Sequence, residues 1–114
     1  HAYTAAKAGV IQVTQTLAAE WGRLGVRVNA VSPGFTRTVA LEAGIASGAM
    51  DKALLERHAA MGRMVEPVEV AQAIAWLLSP LSSAVTGINL PVDAGFLAGS
   101  TWAPYGGLPQ PPAN

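Results

Sequence analysis

The chain has 114 residues, seven Lys and Arg against seven Asp and Glu, 51% hydrophobic residues and no cysteine, a length that suits one soluble globular domain or part of one. Zero formal charge argues against nucleic acid or an anionic membrane surface as partner, since both need clustered Lys and Arg. The missing cysteines exclude a disulfide framework and a thiolate nucleophile, and His1 and His58 alone make no metal cluster, so no metal is expected.

The first expected element is a helix over residues 4–22, where Ala6, Val10, Val13, Leu17 and Trp21 recur at helical spacing and Thr4 stands where an N-cap would. Its other side carries Ala5, Ala8, Gly9, Thr16 and Ala19, small enough for a second helix to approach, so both faces are expected to be covered. Gly22 and Gly25 are expected to end it through left-handed dihedrals. A short valine-rich run, Val26 to Val31, follows and is bounded by Gly25 and Pro33-Gly34, which suits a strand buried in a parallel sheet. A helix feeding such a strand points to an α/β fold.

Residues 39–64 mix Gly, Ala, Ser and Met, with one expected helix from Met50 to Met61 and glycines on either side, and read as a mobile, lid-like insert. Glu66-Pro67-Val68-Glu69 puts proline at a first helical position with acidic residues around it, so a helix is expected from Pro67 to Ser79. Thr86 to Val92 reads as a last strand with Pro91 near its end, and Asp93-Ala94-Gly95 as the turn that closes it. Residues 99–114 carry four of the eight prolines and several glycines, so an irregular tail is expected there. Within that tail two readings stay open: Trp102 and Tyr105 anchoring on a neighbouring subunit, or a disordered terminus.

Tyr3 and Lys7 stand four apart at the start of a helix, so both side chains leave one face about a turn apart. Phenols ionise near pH 10, roughly three units above neutrality, and a nearby ammonium favours the phenolate. Such a pair also arises by chance, and its context gives it weight. YTAAK leading into the small-residue helix, then VRVNAVSPGFTRT, GRMVEPVEVAQAIAWLLSP and TGINLPVDAGF together resemble, in the same order, the C-terminal half of the short-chain dehydrogenase/reductase family, over about residues 1–97.

The resemblance implies the later part of a single Rossmann-like, doubly wound parallel-sheet domain, covering residues 1–98, with residues 39–64 as substrate lid. It implies hydride transfer between NAD or NADP and an alcohol, ketone or aldehyde. Tyr3 would be the general acid/base, and Lys7 would favour its ionisation while meeting the cofactor ribose. Pro33-Gly34-Phe35-Thr36-Arg37-Thr38 resembles the family segment P-G-x-x-x-T, which implies cofactor contacts at Pro33, Gly34, Thr36 and Thr38, beside those implied at Tyr3 and Lys7. Asn29 is expected to be structural, closing hydrogen bonds near the strand end, and Asp93 to fix the last turn or a subunit contact. His58 and the methionines Met50, Met61 and Met64 lie in or beside the insert, where packing or a substrate wall are both open readings, and Trp21 and Trp76 are expected in core or interface.

The family's glycine-rich phosphate turn, its NAD- or NADP-selecting residue and its catalytic serine all precede the tyrosine, and no GxxxGxG occurs here. The opening His1-Ala2-Tyr3 reads as a cut end, with the N-terminal half expected as a missing partner; this segment alone is expected to be inactive. A homo-oligomer, a tetramer by resemblance, is expected, because 12% charged residues is about half the usual share. No signal peptide is apparent, and apolar runs such as Ala73 to Leu78 fall far short of the roughly 18–20 residues of a membrane span, so the expected location is cytoplasmic. Two other readings remain: a non-catalytic association module, and a generic α/β piece with a chance Tyr/Lys pair.

Overall fold

The computed structural model describes residues 2–109; His1 and residues 110–114, which include the last five positions of the expected tail, lie outside the described residues. The chain divides into two compact units, one built from the segment through Ser32 and Val70–Pro91, the other from Pro33–Glu69 and the segment from Val92 onward. In chain order the elements are α1 (Ala2–Trp21), β1 (Ala30–Pro33), α2 (Val39–Ala46), α3 (Lys52–His58), α4 (Pro67–Leu78), β2 (Asn89–Val92) and α5 (Phe96–Ser100), with 3-10 turns at Gly22–Leu24, Pro80–Ser82 and Ala103–Tyr105. The two strands pair in parallel: Ala30 N–H donates to Ile88 O at 2.9 Å and Gly34 N–H to Val92 O at 3.0 Å. This is the α/β arrangement that the sequence suggests.

In the first unit α1 starts at Ala2, so Thr4 sits inside the helix and is not its cap. The helix continues as a 3-10 turn through Gly22, and Gly25 alone adopts the left-handed φ of 79° that ends it. Thr14 and Ala18 are the buried positions of α1, while Val10, Val13 and Trp21 are exposed. Because α1 is apolar on more than one face, periodicity does not select the covered side. Gly87 packs at that side, with room for little more than hydrogen: a Cβ there would meet the Ala18 Cβ at 3.3 Å.

Regular pairing of β1 begins four residues later than the valine run suggests. The reason is local. Gly87 turns with a positive φ of 76°, and side chains replace the ladder beside it. Asn29 Nδ2 donates to Val85 O at 2.9 Å while its Oδ1 accepts from Ile88 N–H at 3.2 Å, and Thr86 Oγ1 accepts from Val28 N–H at 3.1 Å. Asn29 is therefore structural, as its position suggests. Arg27 reaches across to the end of α4 and donates to Leu77 O at 2.7 Å and to Val85 O at 3.1 Å. A cation there satisfies carbonyls that the helix leaves open and complements its dipole.

In the second unit the insert holds two helices where one was expected. Thr38 caps α2 by accepting from Leu41 N–H at 3.2 Å, and Asp51 caps α3 by accepting from Leu54 N–H at 3.2 Å. A parallel bridge joins Thr36 and Val65, with Arg37 N–H to Val65 O at 2.8 Å and Val65 N–H to Phe35 O at 2.9 Å. Met64 and Val65 are among the most buried residues. The beginning of the expected tail is not irregular: α5 and the Ala103–Tyr105 turn occupy it, because Gly95 (φ 77°) starts the helix and prolines are tolerated in a first helical turn.

At Gly34 the two strand ends come close together. A Cβ there would lie 2.7 Å from Asp93 Cα and 2.8 Å from Asp93 Cβ. Gly34→Ala is therefore expected to destabilise the protein by about 1–3 kcal/mol. Gly22→Ala serves as the matched control, since a Cβ at Gly22 meets nothing within 4 Å, and is expected to be neutral or slightly stabilising. Urea unfolding of the two variants checks the contrast.

At the start of α4, Glu69 accepts from both arms of Arg63 at 2.8 Å and from Glu66 N–H at 2.8 Å, which is the reciprocal half of a capping box. The Arg63 guanidinium, followed by the Glu66 N–H, holds the Glu69 carboxyl down to about 2. The same pairing raises Arg63. A depressed carboxylate stabilises the fold above its unfolded pKa, and that contribution disappears as pH falls towards 2. Glu69→Gln is thus expected to be less stable than the parent at pH 7, with the difference shrinking between pH 4.5 and 2. Arg63→Met should raise the Glu69 titration midpoint as read by carboxyl NMR shifts.

Candidate active site

Tyr3 and Lys7 project from the first two turns of α1, and the Lys7 Nζ lies 5.3 Å from the centre of the Tyr3 ring. Helical period alone brings them together, since positions four apart share a face. Tyr3 is 75% exposed, so its hydroxyl is open to a reacting oxygen. At that distance the ammonium and the ring face make a cation–π contact.

The Pro33–Thr38 turn follows the carboxyl end of β1, the edge at which parallel sheets bind ligands. Pro33 ends the strand, Gly34 is pinned to Val92 by its N–H, and Thr36 Oγ1 donates back to Gly34 O at 3.0 Å. Thr38 Oγ1 is engaged as the cap acceptor of α2, and its hydroxyl hydrogen stays available to donate. Among the described residues the N–H groups of Phe35 and Thr36 donate to no backbone or side-chain acceptor. Two open donors at a strand's carboxyl edge suit the carbonyl of an amide such as a nicotinamide carboxamide, so these residues fit that group. Tyr3 and Lys7 belong to the first unit and the turn to the second.

Asp93 fixes the turn after β2, its carboxylate accepting from Gly95 N–H and Leu97 N–H at 2.9 Å each. His58, at the end of α3, stands edge-on to Phe96 with ring centres 6.3 Å apart, and Phe96 stands edge-on to Phe35 at 5.1 Å. This ladder has no signature in sequence, because its members come from three distant segments. Thr38 as a helix cap is a role the sequence reading missed, although its place directly before the apolar run Val39-Ala40-Leu41 is a signal for it. Among the described residues no group of three or more His, Asp or Glu side chains is placed to hold a metal ion, and no helix is long and apolar enough to cross a membrane.

A family model described as enoyl-(acyl carrier protein) reductase matches residues 1–97. The A-factor type γ-butyrolactone 1'-reductase (1S-forming) of Streptomyces virginiae is 43% identical over 94 residues, covering 82% of this chain and 37% of the relative. Among solved structures, one named ribose-5-phosphate isomerase from Brucella melitensis 16M is 55% identical with a TM-score of 0.91, covering 96% of this chain and 43% of the other. An oxidoreductase of the short-chain dehydrogenase/reductase family from Burkholderia thailandensis is 40% identical with a TM-score of 0.84, covering 92% and 41%. A putative 2-deoxy-D-gluconate 3-dehydrogenase from Agrobacterium tumefaciens, 43% identical with a TM-score of 0.77 over 84% of this chain and 39% of the other, holds NADP, and a 4-hydroxyisoleucine dehydrogenase, 31% identical, holds NADH. The chain thus spans about two fifths of the length of these relatives. With the family model and the named relatives falling on the same stretch as the ordered motifs, the chain belongs to the short-chain dehydrogenase/reductase family.

Proposed function

We propose that the protein carrying this segment is an NAD- or NADP-dependent oxidoreductase that interconverts a small alcohol and its ketone or aldehyde. The observation that carries the reading is the Lys7 ammonium 5.3 Å from the Tyr3 ring. A nicotinamide held by Lys7 and the 33–38 turn would supply the hydride in reduction and take it in oxidation. Tyr3 gives its hydroxyl proton to the substrate oxygen in reduction and removes it in oxidation. Lys7 stabilises the phenolate form and offers its remaining N–H donors to ribose hydroxyls. Pro33, Gly34, Thr36 and Thr38 shape the turn whose open N–H groups receive the carboxamide, and α2 and α3 form the cover over the substrate. The names of the relatives support the reaction class, and the nucleotide-bound neighbours support the cofactor.

In the full-length protein, Tyr3→Phe is expected to lower kcat by about 100-fold or more, the usual scale of a lost general acid/base, while cofactor affinity measured by calorimetry is retained. Lys7→Met should weaken cofactor binding as well as turnover and move the activity profile to more alkaline pH. Equal activity in Tyr3→Phe would sink the assignment of Tyr3, whereas a full-length parent with no turnover would leave the association module. The isomerase name of one neighbour gives a second reading with a separate outcome: conversion of ribose 5-phosphate with no nicotinamide consumed or required would favour it.

The protein is further read as a homo-oligomer, a tetramer by family resemblance, with α1 in the interface, because Val10 and Val13 stay more than half exposed and bulky apolar side chains in water mark contact surfaces. Light scattering at micromolar concentration should give a multiple of the chain mass, and Val10→Asp with Val13→Asp should lower it. A monomeric parent would overturn this reading.

A further inference from the structure

Within the second unit, a cavity of about 300 Å³ is walled by the end of α3, by α5 and by the turn that follows, with Arg57, His58, Gly99, Gly106, Gly107 and Leu108 among its lining. Its wall is tightly built. Gly99 is buried, and a Cβ there would run into the His58 carbonyl oxygen and lie 2.9 Å from the Leu108 side chain. Gly106 and Gly107 both hold φ at 91°, with their N–H groups bonded to Ala103 O and Trp102 O, so the turn is shaped by its backbone. The His58 ring is set by its edge-on contact with Phe96.

The chemistry of this lining is one-sided. Arg57 and His58 are among the residues that line it, and among the described residues no Asp or Glu lines it. Most of the chain's other arginines have partners: Arg27 binds carbonyls, Arg37 reaches Glu66 at 3.0 Å and Arg63 holds Glu69. Among the described residues Arg57 has no ion pair and no hydrogen bond, while the neighbouring Glu56 faces Lys52 at 3.7 Å. A helix C-terminus favours basic residues in its last turn, which accounts for their presence on α3. It does not account for the cavity they line. The volume lies at the low end for ligand pockets and suits a small metabolite, not a dinucleotide.

We propose that this cavity binds the oxyanion of a small molecule, a carboxylate or a phosphate, held by Arg57 in a charge-assisted fork with His58 as the second donor. Resting on the oxidoreductase reading, this makes the substrate class a carbonyl or alcohol compound that carries an anionic group. Phe96 stands between His58 and Phe35, so the cavity lies one aromatic layer from the turn proposed to hold the carboxamide.

The test uses the full-length protein. The His58 ring signals are followed by NMR while sodium succinate, inorganic phosphate or glycerol is added at constant pH and ionic strength. Saturable shifts with succinate or phosphate and none with glycerol are expected, the stronger of the two arms naming the anion. Arg57→Gln should weaken that binding at least tenfold, and Arg57→Lys should restore part of it. In turnover, Arg57→Gln should raise KM for an anionic carbonyl compound at least tenfold more than for a neutral analogue. Unmoved His58 signals with both anions, or equal KM changes for the two compounds, would overturn the proposal. Saturable anion binding in a protein that reduces no carbonyl compound would overturn the oxidoreductase reading and leave the site standing.

Discussion

The close approach of Gly34 to Asp93 is the constraint on which the second unit is arranged. With no Cβ at Gly34, the two strand ends run together until Gly34 N–H reaches Val92 O. Asp93 then turns the chain with its own carboxylate, which accepts from Gly95 and Leu97 and so starts α5. The same corner receives the segment after α3, where Met61 N–H donates to Ala94 O at 3.0 Å and Ala94 is held at a φ of 52°. A non-glycine residue in that region is uncommon, and here backbone bonds on both sides keep it there. One contact thereby sets the start of the 33–38 turn, the direction of α5 and the approach of the segment after α3.

Charged residues are few, and several of them serve the ends of helices. Arg27 closes the C-terminal end of α4 and the Arg63–Glu69 pair closes its N-terminal end. Helix ends expose backbone groups that need partners, and in a chain with 12% charged residues each such use leaves fewer charges for the surface. Among the described residues Arg57, which lines the glycine-walled cavity of the second unit, has no ion pair.

The Tyr3–Lys7 pair and the 33–38 turn reach their forms by different routes. The pair needs only a helix, and the helix needs only its own sequence. The turn needs the β2 end, the bridge from Thr36 to Val65 and the cap at Thr38 to leave its Phe35 and Thr36 N–H groups open. The first is thus defined within one helix, and the second by packing between distant segments of its own unit.

What the sequence determined by itself is what short-range physics governs. The extents of α1 and α4, the Asp93 turn, the structural use of Asn29 and the shared face of Tyr3 and Lys7 follow from helical period, proline and glycine placement and short polar side chains, which act over a few residues. The late start of β1, the covered side of α1, the two helices of the insert and the helical beginning of the expected tail did not follow. Each depends on contacts between distant segments: Gly87 against Ala18, Thr86 and Val85 against 28–29, Gly99 against His58. The Arg57–His58 cavity is of the same kind, because its walls are some forty residues or more apart in sequence. Only the tertiary structure decided these features, since a close approach between backbones is a property of two segments and is written in neither one alone.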